Sequence, residues 1–159
     1  MLPDWVFDAA DRRFMAVALA EAEAAAERSE VPVGAVIVLA GREVARAGNR
    51  RRSDLDPTAH AEILVLREAA RQAGDWRLQG HTLYVTLEPC PRCVAACRQA
   101  RLDLVVWGAA DPVAGACGST LDLAGEPRLG PPLAHRGGLA AAAAGELLRR
   151  FFAKQRGSS

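Results

Sequence analysis

Four residues in this chain have the types and the spacing for metal chemistry. His60 and Glu62 stand two apart in "DPTAHAEI", and Cys90 and Cys93 stand three apart in "TLEPCPRC". A Cys-x-x-Cys pair alone is open to three readings: a redox pair, half of a structural zinc knot, or two ligands of a working metal. Pro91 suits the first position of a helix and Cys90 its cap, so both cysteines project to one side. Thiolates at a helix N-terminus gain from the helix dipole, which lowers their pKa and readies them to ligate. His60, at the start of a second helix, is a third candidate ligand. Two helix N-termini leaving adjacent strand ends bring the three groups together.

The competing readings explain less. A redox pair gives no use to His60 or Glu62. A structural zinc knot takes four protein ligands, and a second C-x-x-C or H-x-x-x-H is missing. Cys97 lies deeper in its helix, in the core-like run "VAAC", and it and the isolated Cys117 are read as buried small side chains. His60, Cys90 and Cys93 then leave a fourth tetrahedral position for water, the arrangement of a catalytic zinc. Zinc draws the pKa of such a water towards neutrality, and the nucleophile needs a proton shuttle. Glu62 by itself reads as a solvated charge near a helix N-terminus. Next to His60, and with "PCPRC" downstream, it reads as that shuttle. The joint pattern H-x-E…P-C-x-x-C, with Pro89 included, is the one zinc deaminases carry.

The elements that must hold these residues follow from periodicity and punctuation. Residues 8–28 read as a helix with an alanine-rich apolar face. Val33 to Leu39 and Glu43 to Ala47 flank a glycine turn and read as a hairpin. The polar stretch "RRRSDLDPTAH" offers Asp56 and Thr58 as helix caps, with Pro57 at a first helical position. An amphipathic helix then runs from His60 to a stop at Gly74. Strand 81–87, helix 91–102 and strand 103–109 follow. Beyond them lies a Gly- and Pro-rich stretch, read as a long loop with a helical turn near Thr120. "LAHR" (133–136) reads as a short last strand, and residues 137–156 as a C-terminal helix before a frayed "GSS" tail. The order α-β-β-α-β-α-β-β-α implies a sheet with helices on both faces.

Bulk properties narrow the classes further. The chain has 159 residues, enough for one domain with a real core, and no internal repeat or linker. Its net charge of +1 excludes a global polycation, so nucleic-acid binding needs a local basic patch. "MLPDWVFDAADRRF" has acidic residues and no long apolar run, so no secretion signal is expected. No apolar run is long enough for a membrane helix. A cytoplasmic location follows, where four cysteines suit ligands or buried thiols better than disulfides.

At these residues the chain resembles the cytidine deaminase superfamily, and within it the bacterial tRNA-specific adenosine deaminases. The likeness spans nearly the whole chain and is strongest at "EVPVGAVIV" (30–38), "AGNRR" (47–51), "DPTAHAEI" (56–63) and "WRLQGHTLYVTLEPC" (76–90). It implies a three-layer α/β/α cytidine deaminase-like fold around a central five-stranded mixed sheet, with residues 1–159 forming a single zinc deaminase domain. It implies one zinc per chain, held by His60, Cys90 and Cys93, and hydrolysis of adenosine to inosine with Glu62 carrying the protons. Asn49, the main-chain N–H of Ala61 and the carbonyl of Pro89 are then expected to hold the flipped base. The implied substrate is the wobble adenosine of a tRNA anticodon stem-loop, turned out of its stack. The implied assembly is a homodimer with the tRNA site shared across its interface, and no membrane is involved.

The chain departs from the family pattern on the RNA side. Val113 stands where a lysine is usual, "LGPP" (129–132) where an Asn-His-Arg is common, and Ala153 where many members have arginine; Arg92 replaces a frequent methionine. The run Arg50, Arg51 and Arg52, and the cluster of Arg149, Arg150, Lys154 and Arg156 with Phe152, are the candidate RNA contacts that compensate. The alternative function is a deaminase of a free nucleobase or nucleoside of guanine or cytosine type, which shares the zinc chemistry. A third is a non-catalytic partner subunit with a structural zinc, which has no use for Glu62.

Overall fold

Asp8 starts the first helix by accepting the backbone N–H of Asp11, whose own side chain accepts the N–H of Asp8. That helix, α1 (Ala9–Glu27), is followed by β1 (Gly34–Leu39), β2 (Arg42–Gly48), α2 (Ala61–Ala73), β3 (His81–Leu87), α3 (Pro91–Gln99), β4 (Leu104–Ala109), β5 (His135–Gly137) and α4 (Ala141–Gly157). Two single 3₁₀ turns, Asp4–Val6 and Pro127–Leu129, complete the set. The structure is a computed structural model and describes residues 2–157; Ser158 and Ser159 of the expected frayed tail lie outside the described residues.

The strands form one mixed sheet in the order β2-β1-β3-β4-β5, with β1 antiparallel to both neighbours and β3, β4 and β5 parallel. This is the expected fold class. Both faces of the central strands are apolar, as strands covered on two sides require. Ala35, Ile37, Leu83, Val85 and Val105 face α2 and α3, packing with Val65 and Val94. Val36, Val38, Tyr84 and Val106 face α1, packing with Phe14 and Met15. α4 packs on α1, β3 and β4. Gly34 has no room for a Cβ, which would overlap the Ala18 carbonyl, so it lets α1 press close on β1. A buried hydrogen bond from the Tyr84 hydroxyl to Asp11 (2.8 Å) ties the same helix to β3.

The sequence reading differs from the structure at several points. Asp56 and Thr58 do not cap α2. The Asp56 carboxylate instead accepts the Thr58 N–H (2.8 Å) and hydroxyl (2.7 Å) in a local turn, and the helix starts three residues after Thr58, at Ala61, with His60 as its cap. The strands that precede the two ligand-bearing helices are not adjacent, because β1 lies between β2 and β3. No helical turn forms at Thr120. The amides of Cys117 and Ser119 there are taken by the Glu88 carboxylate, and the only turn of helix in this loop is at Pro127–Leu129. The last strand is shifted to His135–Gly137, and α3 ends at Gln99, before Arg101 in the left-handed region.

Candidate metal centre and active site

Because β1 runs antiparallel to its neighbours, its first residues lie beside the last residues of β2 and β3. Gly34 pairs with Gly48, and Ala35 with Val85. The chain therefore leaves β2 and β3 at the same end of the sheet, and α2 and α3 begin there. His60 and Cys90 are the caps of these helices, both in extended conformation, and neither uses its side chain to cap. Those side chains are free to face each other. Pro91 follows as the first helical residue and places Cys93 one turn on, fully buried.

The His60 Nδ1 atom lies 3.7 Å from the Cys90 sulfur and 3.4 Å from the Cys93 sulfur, and all three ligand atoms fall within 4.8 Å of one another. Zinc with ordinary Zn–N and Zn–S bonds sets a tetrahedral N···S edge of about 3.6 Å. The residues fit the ion, and they are the only such group among the described residues. Without the ion, the Cys90 thiol is lowered to about 3 by a hydrogen bond from Cys93, against the cost of its burial and with help from His60. Cys93 is pushed up by donating that bond and by burial beside Glu62. Ligation needs both sulfurs deprotonated, so binding metal releases the proton the pair holds. Cys97 and Cys117 are buried, with thiol pKa values raised by that burial, in keeping with their reading as core residues.

Glu62 follows in the first turn of α2, 4% exposed. Its pKa is raised, first by burial, with the Cys90 thiolate adding to the effect. Its Oε1 is buried without a hydrogen-bond partner. An orphaned carboxylate oxygen at this depth costs free energy unless it meets a ligand or water. A water or ligand held at the His60, Cys90 and Cys93 site would supply one.

The three expected base-binding groups gather around this centre, but two of them bind each other. The Asn49 side-chain oxygen accepts the Ala61 N–H at 2.9 Å. The first amides of a helix lack intrahelical acceptors, and a carboxamide from the preceding loop supplies one here. The Ala61 N–H, expected at the ring, thus has the Asn49 side-chain oxygen as its acceptor in this structure. Asn49 is itself pinned by its N–H to the Val33 carbonyl (3.1 Å) and by Arg28 on its own carbonyl (3.3 Å). The Pro89 carbonyl accepts the Ala116 N–H at 2.9 Å and retains a second lone pair.

Among the basic residues, Arg50 pairs with Asp54 (3.0 Å), while Arg51 and Arg52 rim a hollow shared with Asn49, Glu30 and Asp56. Arg149 and Arg150 both pair with Glu146 on their own helix. Arg150, Phe151 and Lys154 line a second hollow opposite Glu23 and Glu27 of α1, and Phe152 is 44% exposed. Arg92 is exposed.

Three buried charged residues that bind loop backbone groups escaped sequence reasoning. Glu30 accepts the N–H groups of Arg52 (3.1 Å) and Ser53 (2.6 Å) and the Ser53 hydroxyl (2.7 Å), which orders the loop after Asn49. Glu88 accepts the N–H groups of Asp111, Cys117 and Ser119 and the Ser119 hydroxyl. Arg98 donates to backbone carbonyls. The one available signal was for Glu88, an acid directly between an apolar strand and Pro89-Cys90.

A three-layer fold with a His/Cys/Cys centre and a buried carboxylate defines a zinc-dependent hydrolytic deaminase. The family profile described as the cytidine and deoxycytidylate deaminase zinc-binding region matches residues 8–109, and the chain belongs to this family. It is 48% identical over 143 residues to the tRNA-specific adenosine deaminase of Agrobacterium fabrum, covering 90% of this chain and 94% of that one. To the tRNA-specific adenosine deaminase of Bacillus subtilis it is 43% identical over 146 residues, covering 92% and 91%. A solved structure from a study of A-to-I editing by tRNA:A34 deaminases at the wobble position of transfer RNA matches with a TM-score of 0.83 and 48% identity, over 86% of this chain and 99% of that chain.

Proposed function

We propose that this chain hydrolyses adenosine to inosine and ammonia at the wobble position of a tRNA anticodon loop. The observation that carries the reading is the unpartnered oxygen of buried Glu62 beside a triplet spaced for zinc, in a chain so close to tRNA-specific adenosine deaminases over nearly its whole length. His60, Cys90 and Cys93 would hold the zinc, which when bound would make a water nucleophilic at neutral pH. Glu62 takes the proton of the attacking water and delivers it to the ring, then carries a proton to the departing amino group. Its raised pKa suits a group that must both accept and donate. The Pro89 carbonyl, with its free lone pair, accepts from the base. Asn49 holds the start of α2 through Ala61 and turns its amide N–H₂ to the ring. A base inside a stack cannot reach this recess, so the adenosine is flipped out.

Arg50, Arg51, Arg149, Arg150 and Lys154 with Phe152 are the phosphate and base contacts in this reading. Asp54 holds Arg50, and Glu146 holds Arg149 and Arg150, so phosphates must displace these carboxylates. The chain acts as a homodimer through the outer faces of α2 and α3. An apolar groove runs there, lined by Leu66, Ala70, Trp76, Ala96 and Leu129, with Trp76 54% exposed. Residues 1–159 are taken as one deaminase domain, supported by the single sheet that holds all five strands. A cytoplasmic location goes with four free cysteines, two of them metal ligands. Among the described residues no helix is long and apolar enough to cross a membrane.

The test offers the zinc-loaded protein an anticodon stem-loop with a wobble adenosine, beside free guanine, cytosine and adenosine. Inosine in the stem-loop alone is expected. Turnover of a free base with the stem-loop untouched overturns the reading in favour of a nucleobase deaminase. Glu62→Ala should keep about one zinc per chain and lose roughly 10²-fold or more in rate.

A further inference from the structure

Arg98 is buried at the end of α3, 7% exposed, and every hydrogen bond it makes goes to a backbone carbonyl. One guanidinium nitrogen donates to Leu123 (2.7 Å), Ala124 (3.1 Å) and Glu126 (3.0 Å), the other to Gly130 (2.7 Å) and Pro131 (2.8 Å). Its Nε is buried without a partner. A buried guanidinium is expensive unless its donors are used, and five carbonyls converging on one group must be held by the group they surround. The segment they belong to is rich in Gly and Pro and has one turn of 3₁₀ helix, so it has little ladder of its own.

The connections lead back to the metal. The Leu123 N–H donates to the Ala116 carbonyl (3.0 Å), and the Ala116 N–H donates to the Pro89 carbonyl (2.9 Å). Pro89 precedes Cys90, and α3 carries Cys93 at its start and Arg98 at its end. The circuit from Cys90 along α3 to Arg98, across to Leu123 and Ala116, and back to Pro89 is closed. We propose that Arg98 is a positioning residue that clamps residues 116–131 onto α3 and thereby fixes the Pro89 carbonyl beside the metal centre. Only the link to substrate through Pro89 rests on the deaminase reading; the clamp stands on geometry alone.

The test is Arg98→Ala in the zinc-loaded protein, with and without millimolar methylguanidinium, which fits the vacated cage. Hydrogen exchange at the amides of Ala116, Leu123 and Leu133 reports the clamp, and stem-loop kinetics report its effect. Exchange in the variant should quicken roughly tenfold or more, since several bonds are lost together. KM should rise roughly tenfold with kcat within about threefold and zinc retained. Methylguanidinium should restore both in the variant and change neither in the parent. Unaltered protection in Arg98→Ala, or lost protection that methylguanidinium does not restore, overturns the proposal. If Arg98→Ala does not fold, Arg98→Lys keeps the stem and charge but cannot span five carbonyls; faster exchange at the same amides supports the clamp, and parental protection overturns it. A parent protein inactive on the stem-loop counts against the deaminase reading, while the exchange and rescue arms still decide on Arg98.

Discussion

Replacing Glu88 by glutamine tests whether its carboxylate holds the loop after β4. Glu88 is 2% exposed, and its oxygens divide their work. One accepts the amides of Cys117 (3.0 Å) and Ser119 (3.2 Å); the other accepts the amide of Asp111 (3.1 Å) and the Ser119 hydroxyl. Glutamine has nearly the same shape but one acceptor fewer. Its best pose keeps the oxygen on Cys117 and Ser119 and lets the Ser119 hydroxyl turn round to accept from the new N–H₂. The Asp111 amide then faces a donor. One hydrogen bond to a charged group is lost, worth about 2 kcal/mol, and opposed donors add about 1, so stability should fall by about 3 kcal/mol. Urea unfolding at matched zinc content measures this as a shift in midpoint at constant slope. A loss under about 1 kcal/mol would refute the reasoning, because it would mean the loop's amides find water as readily as they find Glu88.

Two further outcomes concern the metal centre and the loop after Asn49. Cys90→Ala leaves two ligands and should lose zinc, measured by elemental analysis, together with all deaminase activity and part of its stability; a variant that keeps stoichiometric zinc would remove Cys90 from the ligand set. Glu30 gives a pH dependence. Burial opposes its ionisation, but hydrogen bonds from the Ser53 side chain and from the Ser53 and Arg52 amides outweigh it, and its pKa is lowered from 4.5. The folded state therefore binds the proton less tightly than the unfolded chain. The stabilisation is present above pH 4.5 and is lost as pH falls through the folded value. Stability measured from neutral to acid pH should fall less steeply in Glu30→Gln than in the parent; equal slopes would show that Glu30 is not linked to folding.

The metal centre was legible because its signal is carried by the ligands themselves. His60, Cys90 and Cys93 are rare types in this chain, Glu62 stands two residues from His60, and Pro91 marks the helix start that aims the two cysteines. The helices and central strands were legible for a related reason, since their apolar period survives in the sequence. The sheet order was not: nothing in "VPVGAVIVL" states that β1 runs between β2 and β3, although that placement is what brings the two helix starts to one end. The engagement of Ala61 N–H by Asn49 was hidden too, because a backbone donor looks the same whatever residue carries it.

That last reason extends to Glu30, Glu88 and Arg98. Each is buried, each is charged, and each binds mostly backbone groups of a segment far away in sequence. An ion pair leaves a mark at both ends, whereas a charge satisfied by N–H or C=O groups leaves a mark at one, where it reads as an ordinary surface residue. These are also the segments with fewest ladder bonds: the loop after Asn49, the loop after β4, and the Gly- and Pro-rich stretch before β5. Buried backbone groups in such segments still require partners. Where no strand or helix supplies them, a side chain of fixed charge does, and it does so best from a rigid element, here from the end of β3 and the last turn of α3 for two of the three. These three segments are thus held by buried charges that are not among the metal ligands.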